Sequence, residues 1–337
     1  MLISFCIPVH NVKTYLKSCI ESIYAQNITQ FEIICIDDCS TDGSYELLME
    51  LSEIYPEITV IRNETNSGAS FSRNLALKMC RGKYVWFVDA DDILVPDTAG
   101  LYLDIAEQES ADAVLGSMIA FPDGSAPVDK METKEYHSVS FSNPDAFYPK
   151  RPCGYPMFGV WLGIFNISFL LKNEILFRED LIVYEDMTFF FEFGIASKKV
   201  FLVDHYGYYY RVRENSVSHG DRIPLMKTGF ECSKKILAVY DEYKARITPD
   251  LQDSYDIHVF MMKRLSTRCL SKIDDDAYVK QGMKHLKKRG WFPYKYDKRG
   301  DFSEKISWKV HLFRFLLSKD ITFWIARRLN VNRLKNE

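Results

Sequence analysis

Long apolar runs are missing from this chain of 337 residues. Its most apolar internal stretch, Met157 to Leu171, contains Asn166 and Ser168 and is shorter than the ~20 residues that a membrane-spanning helix needs. The N-terminus has neither a basic leader nor a cleavage signature. We therefore expect no transmembrane segment and no secretion signal.

Several chemistry-bearing motifs are missing as well. The eight cysteines form no C-x-x-C pair, so zinc is not predicted, and their apolar surroundings favour buried thiols in a reducing cytosol. Neither G-x-G-x-x-G after the first strand nor G-x-x-x-x-G-K-S/T occurs, which disfavours dinucleotide-dependent hydride transfer and P-loop hydrolysis. We find no repeat of solenoid type.

The net charge of −3 is unevenly distributed along the chain. From Lys284 to the end, 15 Lys/Arg residues stand against 5 Asp/Glu residues, so a basic tail follows an acidic body. The stretch from Trp308 to Lys335 mixes aromatic and basic residues at helical spacing. Such helices lie on anionic membrane surfaces or pack on a catalytic domain or another subunit, and the sequence leaves both open.

Apolar runs and helical patterns alternate over the first 120 residues. Buried strands are predicted at residues 2–8, 31–36, 58–63 and 84–88. Helical spacing follows each strand, with Asp42 as one predicted cap and Asp97 or Thr98 as another. This β-α-β-α-β-α-β order predicts an α/β fold, with a mostly parallel sheet and helices on both faces.

The alternation fades after about residue 121, and Pro, Gly, Asp and Ser accumulate up to about residue 155. Beyond about residue 222 the pattern is helical, with long polar and basic faces. We therefore predict one domain over residues 1–220, with halves at about 1–120 and 121–220. A helical, basic C-terminal extension follows over residues 221–337.

Asp89-Ala90-Asp91-Asp92 closes the apolar run from Tyr84 to Val88. Three carboxylates so close together raise each other's pKa, and a hard divalent cation removes that cost. Carboxylate oxygens are the ligands that Mg²⁺ and Mn²⁺ prefer, and open α/β sheets bind ligands at the carboxyl ends of their strands. The pattern predicts a metal site that holds a phosphate-bearing substrate.

Polar segments follow the other predicted strands too. Pro8-Val9-His10-Asn11 follows the first, Asp37-Asp38-Cys39-Ser40 follows the second, and the Gly68-containing loop 66–70 follows the third. That loop leads into a helix that carries Arg73, so a helix N-terminus and a guanidinium are both available to phosphate oxygens. We expect these segments to share one edge of the sheet.

The successive segments at residues 5–26, 35–44, 66–77 and 84–96 resemble the signatures of family-2 glycosyltransferases with the Rossmann-like GT-A fold. The segments at 160–190, with the pattern Y-E-D-x-x-F, and 208–219 resemble the acceptor-side and closing motifs of bacterial surface-polysaccharide members. Together they cover about residues 2–220. Six motifs in family order are a specific signal, whereas any one alone is weak.

The resemblance implies an inverting transfer of a sugar from a nucleotide-sugar, with a UDP-sugar favoured, to an acceptor hydroxyl in polysaccharide, capsule or lipopolysaccharide synthesis. The implied donor-binding residues are Pro8, Val9, Asn11, Asp38, Gly68, Arg73, Asp89 and Arg211. Asp91 is the implied principal ligand of Mn²⁺ or Mg²⁺, with Asp89 between ribose and metal, and Asp92 a helix-entry cap or supporting group. By position in the motif, Asp186 is the general base and Glu185 the fallback.

The implied partners are a nucleotide-sugar, a glycan or lipid-linked glycan acceptor and, through the basic tail, an anionic membrane surface. We expect a cytoplasmic protein, peripheral on the inner face of the membrane if the tail binds lipid. Arg211, Arg213, Asn215, Ser216 and Ser218 are expected to fold over the diphosphate, with His219 as a weaker candidate. Trp161 is expected to border the acceptor pocket, and His10 stands where relatives often place an aromatic residue.

Several of these candidate site residues could instead have a purely structural role. Asp37-Asp38 is also typical of a turn, Glu185-Asp186 of an ordinary helix start, and the two arginines of surface ion pairs. Two other functions stay as alternatives. An aspartate-nucleophile phosphatase would need its D-x-D after the first strand rather than the fourth, and a non-catalytic nucleotide-sugar-binding scaffold would not need Asp186.

Overall fold

The computed structural model describes residues 2–128, 135–143, 159–213 and 222–294, with residues 318, 323, 324 and 327. The chain forms two compact units. The sheet unit comprises Met1–Ser140 and Met157–Arg213, and the helical unit comprises Phe141–Pro156 and Glu214–Glu337. Within the described ranges, no helix is long and apolar enough to cross a membrane.

The first half of the sheet unit alternates strands and helices, as the sequence predicts. Its strands are β1 (Ile3–Val9), β2 (Phe31–Asp37), β3 (Ile58–Arg62), β4 (Tyr84–Phe87) and the short β5 (Ile93–Leu94). Its helices are α1 (Lys13–Tyr24), α2 (Ser44–Ile54), α3 (Gly68–Met79) and α4 (Thr98–Glu109). The predicted strands β1 to β4 agree with these bounds to within one or two residues, because β1, β2 and β4 are buried apolar runs that polar residues follow closely.

The described residues in the second half of the sheet unit form four strands and two helices. The strands are β6 (Ala113–Pro122), β7 (Tyr136–Val139), β8 (Gly163–Asn166) and β9 (Val200–Val212). The helices are α5 (Ile167–Lys172) and α6 (Glu185–Ala196). The last strand, with 13 residues, ends in the Tyr-rich and Arg-rich segment of the predicted closing motif.

These strands form one sheet in the order β3-β2-β1-β4-β8-β6-β9-β5, with β7 also paired to β9. Its central part, β3-β2-β1-β4, is parallel, and β8 then runs antiparallel to both β4 and β6. The fold is thus mixed α/β with a central sheet of mostly parallel strands. Since parallel strands end at one edge, the segments after β1, β2 and β4 lie together there.

Aromatic side chains fill the core beneath that edge. Phe165 packs edge to face on Phe189 and Phe193, with ring centroids 5.4 and 5.2 Å apart. Phe177 stacks on Phe189 at 4.6 Å and meets Phe87 of β4 edge to face at 5.0 Å. Such pairs add about 0.5–1.5 kcal/mol each beyond their burial, so they fix α6 firmly against β4.

Three helices make up most of the described part of the helical unit. They are α7 (Arg222–Tyr243), α8 (Gln252–Lys272) and α9 (Asp276–Lys288). Buried Ser266 of α8 donates to Ser233 of α7 at 2.7 Å, and Asp275 caps α9 by accepting from the Tyr278 amide at 3.0 Å. The predicted helical extension is therefore observed over residues 222–288.

Three sequence expectations differ from the observed fold. The N-cap position of α2 is Gly43 (φ +89°), although Asp42 does accept from the Ser44 amide at 2.9 Å. Asp97, one of the two predicted caps, does occupy the N-cap position of α4, but its φ is +60° and its side chain makes no capping hydrogen bond. Residues 141–156 join the helical unit, whereas the sequence placed them in the domain at 1–220.

Candidate active site

Asp89, Asp91 and Asp92 lie where β4 leaves the sheet, and a tight turn holds them. The Asp92 amide donates to the Asp89 carbonyl at 3.0 Å, and the Asp89 amide donates to the hydroxyl of Tyr208 at 3.1 Å. Tyr208 belongs to β9 and is fully buried. The turn is therefore fastened to a strand more than 100 residues away, which fixes the direction of all three carboxylates.

Arg73 of α3 bridges two acidic residues of the site. Its Nη2 lies 2.8 Å from Oδ1 of Asp89, and its Nη1 lies 2.8 Å from Oε1 of Glu185. The Arg73 side chain is 6% exposed, so the pairs are shielded from water. Burial opposes the charged form, but Asp89 and Glu185 outweigh it and raise the pKa of Arg73. The expected contact from Arg73 to phosphate stays a prediction.

Asp91 pairs with the other end of β9. Its Oδ2 lies 2.5 Å from Nη2 of Arg213, while its carbonyl accepts from Nε of Arg211 at 2.8 Å. Arg211 also lies over the rings of Tyr15 and Phe121, at 4.9 and 4.6 Å. Both arginines thus contact groups of the site itself, and their expected contacts to a diphosphate stay predictions.

Asp92 is the most buried of the three carboxylates, at 1% exposed. Its Oδ1 accepts from the Arg211 amide at 2.7 Å, and its Oδ2 is buried without a hydrogen-bond partner among the described residues. Asp92 therefore supports the end of β9. This position agrees with a supporting role rather than with a direct metal ligand.

The electrostatics of this turn suit a cation. Burial, and then the charge of Asp89, raise the pKa of Asp91, while burial and the charges of Asp91 and Asp89 raise that of Asp92 well above its ordinary value. No group of three or more His, Cys, Asp or Glu residues is arranged to hold a metal within the described ranges. Two carboxylates fit Mg²⁺ or Mn²⁺ when substrate phosphates supply other ligands.

Asp38 organises the predicted nucleoside side of the site. Its Oδ1 accepts from Nδ2 of Asn63 and from the amide of Ser67, both at 2.8 Å, and its Oδ2 accepts from the amide of Gly68 at 2.7 Å. Gly68 has φ +87°, a conformation that glycine adopts without strain. Asp38 thereby fixes the loop that enters α3, as the turn interpretation predicts, and a carboxylate keeps room for a further donor.

His10 and Asn11 tie the ends of β1 and β2 together. Nδ1 of His10 lies 2.8 Å from the Asp38 carbonyl, which only accepts, so Nδ1 carries the proton. Nε2 then accepts from the side-chain amides of Asn11 and Asn66, each at 3.1 Å. Oδ1 of Asn11 accepts from the Thr41 amide at 2.8 Å. His10 is thus a hub of hydrogen bonds between three loops.

Pro8 and Val9 end β1 beside this hub. The Val9 side chain is fully buried in the core, and its carbonyl accepts from the Asp38 amide at 2.7 Å. Pro8 is only partly buried. Any side-chain contact to a nucleobase from this pair therefore falls to Pro8.

Glu185 and Asp186 begin α6, so the interpretation as a helix start describes their location correctly. Tyr184 before them has φ +66°, which aims the chain sharply into the helix. The Asp186 residue keeps some exposure, but its Oδ1 is buried without a partner within the described ranges. Burial, and then the charge of Glu185, raise the pKa of Asp186 well above that of an ordinary aspartate.

Trp161 stacks on two tyrosines of β9. Its ring lies 4.7 Å from Tyr208 and 5.5 Å from Tyr210, and its carbonyl accepts from Nε1 of Trp86 at 2.8 Å. These contacts join Trp161 to β9 and to β4, and its role at an acceptor pocket stays a prediction.

Sequence reasoning missed Asn63 and Tyr208, which support Asp38 and Asp89. The sequence gives little indication of either role, because the partner of each residue is far away in the chain. Asn215, Ser216, Ser218 and His219 lie outside the described residues, as does almost all of the stretch from 308 to 335. The expectations for those residues stay predictions.

The fold is that of the GT-A glycosyltransferases. The structure of S. aureus TarS 1-349 in complex with UDP-GlcNAc is similar with a TM-score of 0.57 at 20% identity, over 91% of this chain and 98% of that one. The mannosyltransferase PcManGT from Pyrobaculum calidifontis, in complex with GDP-Man and Mn²⁺, is similar with a TM-score of 0.54 at 13% identity, over 98% and 86%.

Residues 4–165, just under half of the chain, match the family described as Glycosyl transferase family 2. The poly(ribitol-phosphate) beta-glucosyltransferase of Bacillus spizizenii is 30% identical over 218 residues, which are 64% of this chain. The chain spans 33% of that relative's length and 63% of an uncharacterized Escherichia coli glycosyltransferase, YibD. The family resemblance seen in the sequence is thereby confirmed.

Proposed function

We propose that the protein transfers a sugar from a nucleotide-sugar to a hydroxyl of a cell-surface polysaccharide, with inversion at the anomeric carbon. The observation that carries this proposal is the gathering of Asp89, Asp91, Arg73 and the Glu185-Asp186 pair at one edge of the sheet. This arrangement joins a carboxylate-rich turn and a carboxylate of raised pKa through Arg73, which supports the proposal.

The donor is a UDP-sugar in this proposal. Both UDP and UDP-GlcNAc complexes of TarS are known among the structural neighbours, and a relative is named as a glucosyltransferase of a phosphate polymer. The polar loops around Asp38, Asn11 and Pro8 take the nucleoside. Because another structural neighbour was solved with GDP-Man, a test of the donor should also include GDP-sugars.

In the transfer step Asp186 accepts the proton of the acceptor hydroxyl. The hydroxyl oxygen forms a bond to the anomeric carbon while the bond from that carbon to the diphosphate breaks, and the nucleoside diphosphate leaves with the electron pair. Asp91 and Asp89 would hold Mn²⁺ or Mg²⁺, which when bound supplies charge stabilisation at the diphosphate. Arg73 orients Asp89 and Glu185 by bonding both.

A cytoplasmic setting belongs to the same proposal. All the cysteines among the described residues are free thiols, as a reducing compartment predicts, and nucleotide-sugars are the donors. Attachment to the membrane surface through the basic tail is part of the same proposal.

A donor screen followed by a substitution tests the function. Thermal unfolding is measured with UDP-, GDP- and dTDP-sugars, each with and without Mn²⁺, and we expect stabilisation by a UDP-sugar that requires the metal. In Asp186→Asn we expect transfer to fall by about 10³-fold or more with nucleotide binding retained. Full activity in that variant would remove Asp186 as the base, and no response to any nucleotide would overturn the function.

The two alternatives make different predictions in the same assays. A non-catalytic scaffold would be stabilised by the nucleotide-sugar but would show no transfer in the unsubstituted protein. An aspartate-nucleophile phosphatase would release inorganic phosphate through Asp89, which the observed pairing of that residue with Arg73 does not favour.

A further inference from the structure

The helical unit contains a cleft that the proposed transfer does not use. It lies between α7 and α9 and is a half-open cavity of about 450 Å³. Phe230 and Lys234 of α7 face Tyr278, Lys284 and Lys288 of α9 across it. A volume of this size is typical of small-molecule sites and holds a charged group with one adjoining sugar or polyol unit.

The walls of the cleft are strongly basic. Among the residues that line it, Glu231 is the carboxylate, and its two oxygens already accept from Nζ of Lys234 at 2.6 Å and from the hydroxyl of Tyr278 at 2.7 Å. Lys284 and Lys288 are exposed, and neither makes an ion pair with a carboxylate of residues 2–128, 135–143, 159–213 or 222–294. Two ammonium groups are therefore available to an anion.

The stability of α9 does not explain these lysines. Basic residues in the last turn interact well with the helix dipole, which accounts for Lys288. Lys284 precedes that turn, and Lys234 lies on another helix. Lys284 and Lys288 stand four residues apart on one face, where like charges oppose helix formation. The repulsion between Lys284 and Lys288 therefore lowers the stability of α9, so helix stability does not account for the pair.

The floor of the cleft is aromatic and preformed. The rings of Phe230 and Tyr278 meet edge to face at 6.1 Å. Gly282 lets α9 approach the other helices closely, because a Cβ there would lie 2.8 Å from Leu270 and 3.0 Å from Phe230. Phe230 is buried and Tyr278 half-buried, so the two rings support the cleft from beneath, and a site that exists before binding loses less entropy on binding.

His285 reports on the charge inside the cleft. Burial, and then the positive charges of Lys234 and Arg289, lower the pKa of its imidazole, and Lys288 adds to this while Glu231 opposes it. The ring lies 5.7 Å from that of Trp291. An anion placed between the lysines would cancel part of their repulsion, so the imidazole would take up a proton when the anion binds.

We propose that this cleft binds a phosphate group of a phosphate-bearing glycan, the acceptor of the transfer. Lysine ammonium groups bind phosphate as compact point charges, and the volume of the cavity leaves room for the adjoining sugar or polyol. A concave cavity fits one phosphate unit of a chain better than it fits a flat lipid surface. The glycan part rests on the proposed function, whereas the phosphate part does not.

The first test measures the pKa of His285 by NMR in the full-length protein, with the signal assigned through His285→Gln. Inorganic phosphate is compared with chloride at matched ionic strength. We expect phosphate to raise the pKa in the unsubstituted protein and to have no effect in Lys284→Gln/Lys288→Gln. The control Lys244→Gln/Lys280→Gln removes the same charge from exposed positions outside the cleft, and its response is expected to be normal.

No response in the unsubstituted protein, or an equal response in Lys284→Gln/Lys288→Gln, would overturn the phosphate site. A second arm compares a soluble phosphodiester-linked glycerol phosphate oligomer with phosphatidylglycerol vesicles at equal phosphate concentration. The proposal expects the oligomer to raise the pKa and the vesicles to leave it unchanged. The reverse pattern would overturn the glycan assignment.

The transfer assay then separates this proposal from the proposed function. Lys284→Gln/Lys288→Gln should raise KM for a phosphate-bearing acceptor about 10-fold, since it removes two charge-assisted contacts, and leave kcat and the KM of the donor unchanged. Unchanged KM for that acceptor would refute the acceptor role. If the unsubstituted protein transfers no sugar at all, the proposed function fails while the NMR result for phosphate still stands.

Discussion

Asp186 combines two properties that govern when it can act as a base. It begins α6 beside Glu185, and burial and the charge of Glu185 raise its pKa well above that of an ordinary aspartate. A general base works only when it is deprotonated. We therefore expect activity to be present above this raised pKa and to be lost as the pH falls through it, at a higher pH than an unperturbed carboxylate would give.

Glu185→Gln tests that account. The substitution removes the like charge next to Asp186 and releases Arg73 from one of its two partners, and both changes favour the ionised form of Asp186. We expect the acid limb of kcat/KM to move to lower pH, with a decrease in kcat of about 10-fold or less from lost orientation. The pH profile is compared with that of the exposed-site control Asp104→Asn. Complete loss of transfer at every pH would instead identify Glu185 as the base.

Asp92→Asn addresses the buried carboxylate that supports β9. The raised pKa of Asp92 means that its ionised form is disfavoured in the folded state, so its charge lowers stability above the pKa of the unfolded chain. We expect the substitution to raise the free energy of unfolding at pH 7 by on the order of 1 kcal/mol. The gain should disappear near pH 3, as followed by urea unfolding. A loss of stability that persists at pH 3 would show that the contact to Arg211 matters more.

The residue types of the site were predictable, but their pairings were not. Clustered carboxylates after apolar runs identified Asp38, Asp89 and Asp91 as candidates. The partner of Arg73 at Glu185 is 112 residues away in the chain, so only the folded sheet brings the two together. Tyr208, which supports Asp89, was missed for the same reason, since the two residues are 119 positions apart in the chain.

At the scale of elements, the loop between β3 and α3 depends on one carboxylate. Asp38 accepts three hydrogen bonds from this loop and is 3% exposed. Asp38→Ala leaves those donors without their acceptor. We expect a loss of about 3 kcal/mol in the free energy of unfolding, measured by urea denaturation, and loss of nucleotide binding.

Asp104→Ala, on the exposed face of α4, serves as the control for Asp38→Ala and should change stability by less than about 0.5 kcal/mol. A loss for Asp38→Ala no larger than that of the control would show that the loop is held by other contacts. Retained nucleotide affinity in a stable Asp38→Ala protein would remove Asp38 from the nucleoside site.

The elements up to α4, apart from β5, followed from periodicity because each is a regular pattern of its own. The strands β5 and β8 did not. The two residues of β5 are too short for any period, and the antiparallel placement of β8 between β4 and β6 depends on register with strands far along the chain. Left-handed residues such as Asp97 also limited the cap prediction, since sequence shows the residue type but not its φ.

At the scale of the whole molecule, the sequence predicted two parts and placed their boundary near residue 220. The structure divides the chain after Arg213 and also assigns Phe141–Pro156 to the helical unit. That assignment depends on contacts such as the hydrogen bond from Ser254 of α8 to the carbonyl of Phe141. A segment that returns to a distant unit leaves no mark on composition or periodicity, and no sequence pattern could have located it.

Because Arg73 links the two proposed substrate sites, we expect the two substrates to bind in a fixed order. One guanidinium bonds Asp89 on the proposed donor side and Glu185 beside the proposed base. A donor complex that draws on Asp89 would change the electrostatic field at Glu185 and Asp186, so we expect the base to become competent only after the donor binds. We expect a sequential mechanism with the nucleotide-sugar first, in which the nucleoside diphosphate inhibits competitively against the donor and noncompetitively against the acceptor.

In Arg73→Lys, a single ammonium cannot bond both carboxylates in the same planar fork, so this order should weaken toward random addition. Initial-rate patterns with product inhibition measure the change. An unaltered ordered pattern in that variant would show that the order has another origin. Arg73, which joins Asp89 and Glu185 in the free protein, would then also determine the order of substrate binding during turnover.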